Sequence, residues 1–204
     1  MLFDDTYLTI KENAEAIFTD RGSKFIAYAY AITSEADIKP LIAQLKAVHP
    51  KANHHCWAMR LSADRGVFKV NDDGEPSGTA GRPILNVLLS KNITDTLVVV
   101  VRYFGGKLLG VPGLISAYKT ATEQALAAAG CIEKVITDTY VINFDYPKMN
   151  EVMKVIKDEG LQILAQTSDM QCSVKISIRK SKVNQTISRF EGINNIQVKY
   201  IFNN

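Results

Sequence analysis

The run Thr96-Leu97-Val98-Val99-Val100-Val101-Arg102 constrains this chain more than any other segment. It is apolar, β-branched and without alternation, the pattern of a strand buried on both faces. Directly behind it come Tyr103-Phe104-Gly105-Gly106-Lys107-Leu108-Leu109-Gly110-Val111-Pro112-Gly113 and a helical pattern from about Leu114 to Ala129, closed by Gly130 as its cap. A strand, a glycine-rich turn and a helix therefore follow in direct order.

Upstream, residues 6–11 and 24–32 read as strands joined through Asp20-Arg21-Gly22-Ser23. A helix follows, with Ser34 as its N-cap, apolar positions at Ile38, Leu41, Ile42, Leu45 and Val48, and Pro50 ending it. His55–Leu61 and Gly66–Val70 read as two further strands. From Asn71 to Pro83 there is no hydrophobic period, which predicts a long loop, and Pro83 suits the first turn of a short helix carrying Ile84, Leu85, Val87 and Leu88.

After Thr137 the pattern becomes strand, helix, strand, strand, helix, strand. Tyr140, Ile142 and Phe144 alternate; Met149, Val152, Met153 and Ile156 are helical; Leu161, Ile163 and Ala165 alternate. Cys172, Val174, Ile176 and Ile178 alternate, Val183, Ile187 and Phe190 are helical, and Ile196, Val198, Tyr200 and Phe202 alternate. That order predicts a ferredoxin-like βαββαβ domain. The fold class expected is α+β in two domains, residues 1–137 and 138–204, and a length of 204 residues accommodates two small domains.

Composition narrows the function less. With 24 Lys plus Arg against 21 Asp plus Glu, the net charge of +3 is too small to identify a polyanion partner, so any nucleic-acid surface must be local. Cys56, Cys131 and Cys172 are odd in number and far apart, which points to reduced thiols and a cytoplasmic protein rather than a disulfide framework or a zinc knuckle. The acidic start Met1-Leu2-Phe3-Asp4-Asp5 is unlike a secretory signal, and no segment reads as a membrane span.

Two stretches can hold an anion. Gly105 and Gly106, with Lys107 in the turn and Arg102 before it, precede a helix whose free N–H groups and positive dipole end attract negative charge. Ser77-Gly78-Thr79-Ala80-Gly81-Arg82 repeats the device before the shorter helix. For each, the alternative is a structural one, tight packing in the first case and ordinary capping in the second. Neither stretch is a Walker loop or a dinucleotide fingerprint. Asp72, Asp73 and Glu75 either hold Mg²⁺ or Ca²⁺, or serve as acid and base, or are solvated turn residues. In His54-His55-Cys56, a metal or nucleophile reading stands against a buried thiol beside a hydrogen-bonded histidine, and Trp57 is expected in the core. On the second domain Lys175, Arg179, Gln197 and Lys199 share an outward phase, without the aromatics of a base-stacking sheet.

The blocks Arg21-Gly22-Ser23-Lys24-Phe25, His49-Pro50-Lys51-Ala52, His54-His55-Cys56, Asp72 through Gly81, and Arg102-Tyr103-Phe104-Gly105-Gly106 closely resemble the IMPACT/YigZ family, in that family's order across the first domain. The resemblance extends through the C-terminal domain of bacterial members. It implies a first domain similar to ribosomal-protein and elongation-factor-G domain IV modules, and eukaryotic relatives that regulate translation initiation through a starvation-responsive kinase pathway. The sequence departs from the family pattern where Lys107 sits one place early, Pro112 replaces a glycine and Ser116 stands where Arg is usual. Lys119, one turn further along the helix, is placed to substitute for that Arg.

The leading expectation is a non-catalytic, translation-associated regulatory protein that uses no cofactor and no metal. It binds RNA or a ribosome-linked partner through Ser77, Thr79, Gly81, Arg82, Arg102, Gly105, Gly106, Lys107 and Lys119. The rivals are a metal-assisted hydrolase of a phosphorylated substrate that uses Asp72, Asp73 and Glu75, and a regulatory module that binds only protein.

Overall fold

In the computed structural model, which describes residues 5–62, 66–169 and 171–201, the apolar run becomes β6 (Thr96–Tyr103), the middle strand of a five-stranded sheet. Its neighbours are β3 (Ser23–Ala31) and β4 (His54–Leu61), both antiparallel to it, and β2 (Ala14–Asp20) and β5 (Val67–Asn71) form the edges. Alternate β6 side chains enter different cores, which is why the run shows no period. Leu97 and Val99 pack with Leu45 and Ile38 of α1 (Ile38–Val48) on one face. Val98 and Val100 pack with α2 (Gly81–Ser90) and α3 (Gly110–Ala129) on the other. Each fully buried Val or Leu contributes about 1.5–3 kcal/mol.

Several boundaries differ from the sequence expectation for identifiable reasons. β2 was not foreseen; its inward residues Ala14 and Ala16 are too small to mark a period, and only Phe18 is bulky. α3 begins at Gly110, one turn before Leu114, because Pro112 falls in the first turn, where its missing N–H costs nothing. A short strand, β7 (Cys131–Val135), pairs with β1 (Thr6–Ile10) apart from the main sheet. At the start of α1, Ser34 and Asp37 form a capping box around one 3₁₀ turn.

The chain divides into two compact units, Tyr7–Lys134 and a second from Val135 onward that also takes in Asp5 and Thr6. The second unit runs β8 (Thr137–Asp145), α4 (Met149–Asp158), β9 (Gln162–Ser168), β10 (Gln171–Arg179), α5 (Val183–Glu191) and β11 (Ile196–Ile201). Its sheet order is β11-β8-β10-β9, antiparallel throughout. Ile142, Phe144, Val174 and Ile176 meet Val152, Ile156 and Phe190 of the two helices in its core. The alternation expected at Leu161, Ile163 and Ala165 does not produce a half-buried strand: β9 is an edge, exposed at every position, and its register slips opposite Lys175 and Ile176. Phe202, placed in the apolar phase of β11, lies outside the described residues.

Arg179 does not join a basic sheet face. Its guanidinium grips Asp5 with both arms, at 2.6 and 2.7 Å, and the Ser181 hydroxyl also donates to that carboxylate. These bonds hold the Asp5 carboxyl far below the usual range.

Candidate functional site

The loop from Asp72 to Ala80 connects β5 to α2, and its three acids have separate duties. Asp72 Oδ2 accepts the Gly78 N–H at 2.9 Å, while Oδ1 accepts those of Gly81 at 2.8 Å and Ala80 at 3.1 Å. Its carboxylate thus sits on the N-terminal donors of α2 and supplies the negative charge the helix dipole favours there. The backbone donors that the sequence left open to an external anion are filled from within the chain. Gly81 permits this because a Cβ there would lie 2.9 Å from the Asn71 nitrogen.

Asp73 adopts φ +42° and Gly74 φ +89°, which turns the chain back toward β4. The His55 backbone N–H donates to Asp73 Oδ2 at 2.6 Å, and His54 Nδ1 donates to the Asp73 carbonyl at 2.8 Å. The other ring nitrogen of His54, Nε2, faces Glu75 Oε1 at 3.9 Å. Burial depresses the pKa of the His55 imidazole, partly opposed by the Asp73 carboxylate.

Glu75 is the hub. Its Oε1 accepts from Arg102 Nη1 at 2.6 Å and from the Tyr118 hydroxyl at 2.8 Å, and all three side chains are buried. A buried charge without its partner costs about 3–5 kcal/mol, so each of Glu75 and Arg102 requires the other. The Arg102 guanidinium also lies 5.5 Å from the Phe25 ring and 5.8 Å from Phe104. Cys56 Sγ lies 3.0 Å from the Asp72 carbonyl and 3.3 Å from the Tyr118 oxygen. Burial pushes the Cys56 thiol and the Tyr118 phenol well above their ordinary pKa values. A thiol held protonated in this way is a poor nucleophile.

The glycine-rich turn after β6 has its own explanation. A Cβ on Gly105 would fall 1.9 Å from the Gly22 carbonyl carbon, so the β2–β3 turn and the β6–α3 turn touch backbone to backbone. The Gly105 N–H donates to Ser23 Oγ at 3.2 Å, and the Phe104 N–H donates to Asn53 Oδ1 at 2.8 Å. His49 bridges β3 and β6, its two ring nitrogens 2.8 Å from the Tyr28 hydroxyl and 2.9 Å from that of Tyr103. Burial and the nearby Glu15 charge push Tyr28 up to about 12.

The nine binding candidates thus separate. Arg102, Thr79, Gly81 and Gly105 serve the interior or its backbone contacts, with Thr79 Oγ1 donating to the Pro76 carbonyl at 2.6 Å. Ser77, Arg82, Gly106, Lys107 and Lys119 face outward. Exposed with them are Phe104, Leu108, Val111 and Ile115. Between α2 and α3 lies a cleft of about 280 Å³ lined by Pro83, Asn86, Val87, Ser90, Ile115 and Lys119. Asn53, His49 and Tyr118 carry roles that sequence reasoning did not assign. Membership of the motif blocks was the signal for His49, and for Tyr118 it was its place in the Ala-Tyr pair that follows Ser116 in the family pattern, while Asn53 gave none. Among the described residues, no cluster of three or more His, Cys, Asp or Glu side chains has metal-ligating geometry, and all three cysteines are free.

Residues 21–126, which contain this whole network, match the Impact N-terminal domain. The chain belongs to the IMPACT family. It is 35% identical over 153 residues to the IMPACT family member YvyE of Bacillus subtilis, covering 75% of this chain and 70% of that one. To the IMPACT family member YigZ of Escherichia coli it is 32% identical over 160 residues, 78% of each chain. A crystal structure described only as that of a hypothetical protein is 25% identical and superposes with a TM-score of 0.72 over 98% of this chain and 99% of its own. The IMPACT match therefore spans the Asp72 cap, the Glu75–Arg102 pair and the Gly22–Gly105 contact together. No described helix is long and apolar enough to cross a membrane.

Proposed function

We propose that this IMPACT-family protein is a translation-associated regulator that acts by binding RNA or a ribosome-linked partner through the outer surface of α2, the turn after β6 and the start of α3, with its second unit a ferredoxin-like accessory domain. The family resemblance supplies the translation link. One observation carries the preference for binding over hydrolysis: Asp72, Asp73 and Glu75 are each committed to hydrogen bonds within the chain, although only Glu75 is buried. Asp72 caps α2, Asp73 receives the β4 backbone, and Glu75 neutralises buried Arg102. A catalytic metal or general base would have to displace those bonds.

Of the four candidate cations, Arg82, Lys107 and Lys119 lie on the surface, while Arg102 is buried and paired with Glu75. Binding to RNA there should weaken steeply with salt as counterions leave the phosphates. Filter binding across a salt series tests it: Lys107→Ala should flatten the slope of log K against log salt by about one unit and weaken all RNA sequences alike. Salt-insensitive or undetectable binding by the wild type, or an unchanged slope in the variant, would remove the RNA arm of the reading.

A further inference from the structure

We infer that the cleft between α2 and α3 is a docking groove for an amphipathic helix of a partner protein whose polar flanks are acidic. This rests on the reading of the same surface as a binding site and names what occupies it. Ile115 of α3 gives the groove exposed apolar surface above a floor formed by buried Pro83 and Val87 of α2, while Asn86, Ser90 and Lys119 give it polar edges. From Pro83 to Ser90 it follows α2 for about 10 Å at 1.5 Å per residue, roughly two turns. A partner helix offers anchors at i, i+3 or i+4, and i+7 over that length.

The groove continues into exposed apolar surface. Val111 and Ile115 are 51% and 40% exposed and stand four residues apart on α3, in file with Lys119, and Leu108 just before the helix is 84% exposed. Apolar side chains grouped beside a cleft mark an interaction surface rather than ordinary scatter. The phosphodiester backbone of RNA has no apolar counterpart for them, and the cleft lining contains no aromatic ring on which a base could stack.

Charge selects the sign of the partner. From Gly81 to Thr122 the exposed charged residues are Arg82, Lys91, Lys107 and Lys119, all cationic. Asp95 in the same stretch is half-buried and accepts the Ser62 N–H. The nearest carboxylate along α3, Glu123, lies 3.9 Å from Lys119 in an exposed i,i+4 pair, an interaction weak enough to yield to a partner. Lys119 on the groove edge, with exposed Arg82 directly before Pro83, complements a helix carrying Leu or Ile in one stripe and Glu or Asp beside it.

The test uses the full-length protein and fluorescence anisotropy with a labelled synthetic helical peptide of about 18 residues, some five turns. It carries Leu at i, i+4 and i+7 and Glu on both flanks; a second peptide has Lys in place of Glu, and a uridine homopolymer RNA serves as a third probe. The acidic peptide should bind and the basic one should not. Ile115→Asp, with an unchanged far-UV circular dichroism spectrum as the check on its fold, should weaken the acidic peptide by about tenfold or more. Lys119→Glu should weaken the acidic peptide and gain affinity for the basic one. Equal affinity for both peptides, indifference to Ile115 and Lys119, or no peptide binding would overturn the inference. RNA binding lost in Lys107→Ala but unchanged in Ile115→Asp, with no peptide bound, would sink the docking groove and leave the proposed function standing. Failure of all three probes would sink the docking groove and the RNA arm of the proposed function together.

Discussion

At the residue scale the glycines and the buried ion pair express one requirement, that two turns and a charged hub fit inside a packed layer. Gly105 is the sharpest case, since a methyl group there would overlap the Gly22 backbone at 1.9 Å, and backbone cannot rotate away as a side chain can. Gly105→Ala should therefore destabilise the first unit by about 3 kcal/mol or more, read as a lower denaturant midpoint, whereas Gly106→Ala meets no atom within 4 Å and bears only the cost of its positive φ of 82°. Equal midpoints for Gly105→Ala and wild type would refute the close approach. His55 supplies a prediction in pH. Its imidazole is held neutral chiefly by burial, so the folded state binds its proton less readily than the unfolded chain does. Stability from this group is complete above the unfolded value near 6.5 and is lost as pH falls below it toward the depressed folded value. An NMR titration should place His55 below an ordinary histidine; titration at or above about 6.5 would contradict it.

At the element scale, α2 depends on an acid outside itself. Asp72 lies nine residues before Gly81 and yet receives its N–H, closing the loop against the helix start. Asp72→Ala should cost about 1–2 kcal/mol, and amide exchange should accelerate at Gly78, Ala80 and Gly81 before it does elsewhere. Asp72→Asn should retain part of the stability, because its single amide oxygen still accepts the Gly81 and Ala80 N–H groups, while the bond from Gly78 and the charge that favours the dipole are lost. If exchange at those three amides is unchanged in Asp72→Ala, the cap is not what holds the loop. The edge strands show the reverse dependence: β2 and β9 are placed by pairing and by the length of chain between turns, with no fully buried side chain of their own.

At the scale of the whole molecule, each unit has its own core, and a large-to-small change in one should be felt there. Phe190 is fully buried among Ile142, Val174 and Ile176, so Phe190→Ala should cost about 3–5 kcal/mol. Hydrogen exchange should rise across β8, β10 and β11 and stay at the wild-type level in β3, β4 and β6; a uniform rise through both sheets would show a single cooperative unit instead. The sequence by itself determined the features that depend on neighbours along the chain. These are the doubly buried β6, the helices at period 3.6, the βαββαβ order after Thr137, and, through its motif blocks, the family. Tertiary structure alone decided what the polar residues of those blocks do. Glu75 meets Arg102 across 27 residues and Tyr118 across 43, and Gly105 meets Ser23 across 82. Such pairings leave no periodic trace, because a side chain carries its chemistry in the sequence but acquires its partner only when distant strands are brought within hydrogen-bonding distance. Asp72, Asp73 and Glu75 and the Gly78, Gly81 and Gly105 amides, which in sequence could equally have faced a metal or a phosphate, are once folded hydrogen-bonded within the chain.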